Sequence, residues 1–118
     1  MNNKYSLNKI IMKINAITKE PQQLVNAIDK AIKDEVIKTW GIVVNDKKET
    51  LYTHIPEQWN ETAMLKPNIY KDKVSFVVAW WKKNDEPDEE TKGYILGRFT
   101  ELLMVHVKDY FELLETHK

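Results

Sequence analysis

At 118 residues, with 42% hydrophobic and 31% charged residues, the chain can bury a core without metal or disulfide support, and it reads as a single domain over residues 1–118. Eighteen basic and eighteen acidic residues cancel to a formal net charge of zero, which argues against the broad positive surface of a general nucleic-acid binder. The absence of cysteine excludes disulfides, thiolate metal sites and cysteine nucleophiles.

Near the N-terminus, Leu7, Ile10, Ile11, Ile14 and Ile17 follow helical spacing, with Ser6 placed to cap. Lys9 and Lys13 interrupt the apolar run, so no signal peptide is read. No stretch reaches the ~18 apolar residues of a membrane span, and cytoplasmic is the default location. After the break at Thr18–Pro21, Leu24, Ala27, Ile28, Ala31 and Ile32 form the apolar stripe of a second helix, with Pro21 in its first turn.

From about Val36 the period changes to two. Trp40, Ile42 and Val44 alternate with Thr39, Gly41 and Val43, the polar turn Asn45-Asp46-Lys47-Lys48 follows, and Leu51, Thr53 and Ile55 alternate with Tyr52 and His54. This predicts a hairpin that Pro56 ends. Residues 57–66 read as a short helical turn or a crossing loop, and 68–70 as a short extended piece. Lys73 to Lys83 is the densest run of β-branched and aromatic residues and predicts the central strand. Its bulkier face, Val74, Phe76, Val78 and Trp80, is assigned to the core, and Ser75, Val77, Ala79 and Trp81 to the opposite face.

The acidic run Asp85, Glu86, Asp88, Glu89 and Glu90, with Pro87 among them, has the signature of a helix start. Ile95, Phe99, Leu102, Leu103, His106, Tyr110, Leu113 and Leu114 then keep helical spacing. Gly93 and Gly97 leave residues 92–97 open to a strand reading, but one long helix is the first expectation. The expected fold is therefore α+β: two N-terminal helices, a small antiparallel sheet of three to four strands, and a long C-terminal helix packed on the sheet. Phe76, Val78 and Trp80 should meet Phe99, Leu102, Leu103 and His106.

No catalytic motif appears. Gly41, Gly93 and Gly97 are the only glycines, so no phosphate-binding loop can be built. His54, His106 and His117 have no partner at a metal-ligand spacing, and no catalytic, cofactor or metal residue is assigned. Four tryptophans are the oddity. Strand alternation suggests one second face carrying Tyr52, His54, Val77 and Trp81, with Asp85, Asp88 and Glu89 as an acidic rim. Cover of that face by a helix is the first expectation, and an open aromatic surface the second.

The function expected is a small non-enzymatic protein–protein interaction module, such as an immunity- or antitoxin-type inhibitor of a toxin or enzyme, or a phage accessory protein. The lysine-, isoleucine- and asparagine-rich composition fits an AT-rich bacterial or phage genome. The partner is a protein rather than a membrane or nucleic acid, and a homodimer is compatible with the sequence. The alternative is a small-ligand or enzyme pocket between the sheet and the C-terminal helix, using His54, Tyr52 or Arg98.

Overall fold

The computed structural model describes residues 12–56 and 58–117. Its elements in chain order are β1 (Lys13–Ile17), α1 (Pro21–Lys33), β2 (Trp40–Val44), β3 (Thr50–His54), β4 (Met64–Ile69), β5 (Lys73–Ala79), α2 (Glu89–His106), a 3-10 turn (Lys108–Tyr110) and β6 (Leu113–His117). All six strands join one antiparallel sheet in the order β2-β3-β4-β5-β1-β6.

The class is α+β, but the expected arrangement is corrected in three ways. Lys13–Ile17 is a strand, not the end of a helix over residues 7–17, because Ile14 and Ala16 pair with Phe76 and Val74 of β5. Leu7, Ile10 and Ile11 lie outside the described residues. Among the described residues the sheet has six strands, not three or four, since β1, β4 and β6 also enter it. The long helix is not C-terminal: it stops at His106, the chain turns through Lys108–Tyr110, and Leu113–His117 returns to pair with β1. Residues 92–97 are helical.

Register fixes the two faces. Ile42, Tyr52, Leu65 and Val78 form one cross-strand row, and Ile14 with Phe76 and Ala16 with Val74 extend the same face. Both helices pack there. Leu24, Val25 and Ile28 of α1 and Ile95, Leu96, Phe99, Leu102 and Leu103 of α2 join these residues in one core. Phe99 is its hub, with ring centroids 4.9 Å from Phe76, 5.2 Å from Trp40 and 5.6 Å from Tyr52. Two members of the expected core are not in it. Trp80 lies beyond the end of β5, half-buried under the Lys92 ammonium, and His106 is exposed.

Local chemistry ends the helices. At the close of α1, the Glu35 amide donates to the Ile32 carbonyl and the Val36 amide to the Ala31 carbonyl, with Glu35 at φ 61°. This is a left-handed C-terminal cap built on a non-glycine residue. Asp88 caps α2, its carboxylate accepting from the Thr91 amide at 2.8 Å, which holds the Asp88 carboxyl below its ordinary range. Glu89 and Glu90 follow in the first turn, where the helix dipole favours them. Glu86 pairs with Lys92.

Candidate functional site

The outer face of the sheet carries Gly41, Val43, Leu51, Thr53, Met64, Lys66, Val77, Ala79, Asn15 and Ser75 by register. Among the described residues neither helix packs on it, yet Asn15, Leu51, Thr53, Met64 and Ser75 of this face are buried. A fork interrupts the sheet between β3 and β4. These strands pair only at Tyr52–Leu65 and Thr53–Met64, whereas β4 stays paired with β5 as far as Ile69.

Pro67 explains the fork. In an antiparallel ladder, alternate residues direct their backbone groups to opposite neighbours. The Tyr70 amide donates to the Lys73 carbonyl of the β5 side at 2.9 Å, so Asn68 and Lys66 also face β5, while Leu65, Pro67 and Ile69 face β3. The next hydrogen-bonded pair after Tyr52–Leu65 would be Thr50 with Pro67. Proline has no N–H to give, so the ladder stops and the strands splay.

The fork opens a cleft on each side of the sheet, each of about 590 Å3. On the inner side, Gln22, Val25 and Asp29 of α1 face Pro67, Asn68 and Tyr70. On the outer side, Val44, Ala79, Trp80 and Trp81 supply apolar surface, and Lys47, Lys82 and Lys83 line the rim. Lys66 and Glu49 line both clefts and pair across the gap at 3.1 Å. A hydrogen bond from Asn45, then one from Lys66, holds the Glu49 carboxyl below the usual carboxylate range.

The outer cleft has a fixed wall. The Trp81 indole N–H donates to Glu61 Oε1 at 2.8 Å, and the Glu61 amide donates to Thr53 Oγ1 at 2.8 Å. Thr53 Oγ1 in turn donates to Asn60 Oδ1. The β3–β4 connection is thus tied to the outer face beside Trp81. On the opposite rim, Asn45 Oδ1 accepts from the Lys47 and Glu49 amides and sets the hairpin turn.

The structure divides the residues expected to share one face. Tyr52 and His54 face the helices, because Tyr52 pairs with Leu65 in the Phe76–Val78 face and His54 pairs with Trp40. Tyr52 is fully buried and donates to Asp29 Oδ1 at 2.6 Å. His54 is buried, its Nδ1 3.0 Å from the Thr39 carbonyl. A carbonyl only accepts, so Nδ1 carries the proton. Burial pushes the His54 imidazolium pKa down, more than the Thr39 bond raises it. Val77 and Trp81 do share the outer face, but only Trp81 lines the cleft. Asp85 is exposed in the loop, and Asp88 and Glu89 begin α2 rather than rim the cleft.

The cavity between β2 and α2, which includes Arg98, holds about 170 Å3 and is not lined by Tyr52 or His54. Pockets for small ligands are ordinarily about 300–1,000 Å3. Among the described residues no three His, Asp or Glu side chains gather as a cation site would need. Sequence reasoning missed Glu49, Leu51, Glu61 and Lys66; the one available signal was Pro67 inside an otherwise extended segment. Compared with models of known families, with curated proteins and with solved structures, the chain finds no significant match.

Proposed function

We propose that the chain is a non-enzymatic protein-binding module that takes an exposed segment of its partner into the Trp81 cleft. The observation that carries this reading is the position of Trp81. It lines an open cleft with Ala79 and Trp80, and its N–H is already fixed on Glu61. A rigid, partly apolar aromatic surface loses little entropy on binding, as an interface anchor requires. The rim chooses the partner's charge. Glu49 is paired with Lys66, which leaves Lys47, Lys82 and Lys83 against Asp46 and Glu61, a rim with net positive charge. The partner segment is therefore acidic with an apolar anchor. An inhibitor that grips a toxin or enzyme is the narrower form of the same reading.

A displayed peptide library selected on the immobilised protein tests it. Acidic peptides with an aromatic or aliphatic anchor should be enriched, and their affinity should fall about a hundredfold in Trp81→Ala, the loss typical of a hot-spot residue. Enriched peptides that bind Trp81→Ala as well as the parent would sink the reading.

A further inference from the structure

Among the described residues strand β2 is an outer strand of the sheet, and its own sequence carries none of the usual protection. Its five residues, Trp-Gly-Ile-Val-Val, include no charge and no proline. Natural sheets shield such strands with lysine, proline, bulges or a covering element. The opposite outer strand, β6, does carry a charge, at Glu115. The ladder with β3 shows which β2 groups are unused. The Ile55 amide donates to the Thr39 carbonyl and the Asn45 amide to the Glu49 carbonyl, so the alternation turns the N–H and C=O of Trp40, Ile42 and Val44 away from β3. A second feature marks the same edge. Val36, Val44 and Val105, exposed by 64%, 58% and 63%, are the three most exposed large hydrophobics among the described residues. Val44 lies in β2, Val36 in the connection entering it, and Val105 lines a cavity with Thr39 and Trp40.

We propose that this edge pairs with the same edge of a second copy of the chain, antiparallel about a two-fold axis at Ile42. This goes beyond the Trp81 reading and does not depend on it. The strand is its own complement in that register. Ile42 meets Ile42, Trp40 meets Val44, and Gly41 meets Val43, all apolar or β-branched cross-strand pairs. Continuing the register outward brings Lys38 of one copy toward Asp46 of the other, and the reverse, so opposite charges close both ends. Pairing β6 to itself about its centre would instead set Glu115 against Glu115. Edge pairing alone covers less than the ~1,200 Å2 of a standard stable interface, so the dimer should form with rising concentration rather than persist at all dilutions. The dimer joins two six-stranded sheets, with both Trp81 clefts on one continuous outer face.

The test is sedimentation equilibrium of the full chain from about 10 to about 500 µM, a range suited to a small interface, with two matched variants. Val44→Pro removes a donor that faces outward from β2 and leaves its bonds to β3 intact. Thr116→Pro does the same at the outer side of β6. Dimerisation should weaken at least about tenfold in Val44→Pro, equal to the loss of ~1.4 kcal/mol, and stay unchanged in Thr116→Pro. Circular-dichroism melts of both confirm that they fold. Because the chain has no cysteine, Ile42→Cys adds a register-specific probe and should cross-link to itself under mild oxidation. A wild type that stays monomeric throughout, a dimer that survives Val44→Pro, or one that Thr116→Pro abolishes overturns the proposal.

Discussion

The Tyr52 hydroxyl donates to Asp29 Oδ1 at 2.6 Å and so ties the middle of β3 to α1. The ring itself stacks on Phe99. Burial first, then Asp29, pushes the Tyr52 phenol pKa far up. A phenol whose folded pKa is raised contributes stability that is fully present below its ordinary value near 10 and is lost as pH rises above it. Tyr52→Phe should cost about 1.5–3 kcal/mol at neutral pH, the range for a hydrogen bond to a charged group, and should flatten the alkaline limb of the stability curve. Urea melts from neutral pH upward measure both effects.

His54 governs the opposite limb. Its folded pKa is lowered, so the unfolded chain takes up the proton first, and stability declines as pH falls below about 6.5. In His54→Asn the side-chain amide can replace Nδ1 as donor to Thr39, and the decline between pH 6.5 and the folded pKa should be smaller. Parallel melts of parent and variant across that window would show it; superimposable acid limbs would contradict it.

Phe99 and Trp81 separate core from surface. Phe99 is fully buried among three aromatic rings, and Phe99→Ala should cost about 3–5 kcal/mol. Trp81 is half-buried, and Trp81→Ala should cost much less while removing partner binding. Denaturant melts of the two variants side by side give the comparison, and equal large losses would make Trp81 a core residue.

Glu35 holds the left-handed position that closes α1, where a side chain is disfavoured by about 1–2 kcal/mol. Glu35→Gly should therefore stabilise the protein, by about 1 kcal/mol after the added flexibility of the unfolded glycine is discounted. The midpoint of urea unfolding should rise without a change in slope.

Pro67 can be tested as the cause of the fork. Pro67→Val supplies the missing N–H opposite Thr50, and its β-branched side chain suits a strand. The new amide at position 67 should exchange slowly with solvent, and ligand affinity for the Trp81 cleft should fall as the strands close. Rapid exchange at that amide would mean the splay has another origin.

Legibility from sequence followed the range of the interactions. Helix α1, the β2–β3 hairpin and β5 are set by local period and turn chemistry, and all three could be read. Strand β1 could not, because Ile10, Ile14 and Ile17 fit a helical spacing while Ile14 and Ala16 fit a strand; only pairing with residues some sixty positions away decides. Leu113 and Leu114 continued the helical spacing of α2, and nothing local announced the turn before them. Alternation correctly put Trp81 opposite Phe76. It could not relate Tyr52 to either, since a strand's period names two faces and only the register across β4 tells which is which. The cleft was hidden for a related reason: Pro67 argues against a strand when read locally, yet in the sheet it marks where one strand loses its neighbour.

The placement of β1 has a consequence for synthesis. It lies between β5 and β6, and in register Lys13 stands beside both Val77 and His117. A chain emerging from the ribosome therefore carries an apolar strand with no mate until β5 appears, and with only one until the residues after α2 are made. Closing so long a loop is slow, and the waiting strand is open to other chains. Translation stalled or cut before Leu113 would release a molecule whose core is nearly complete but whose sheet ends in β1, a species suited to aggregation or to capture by chaperones.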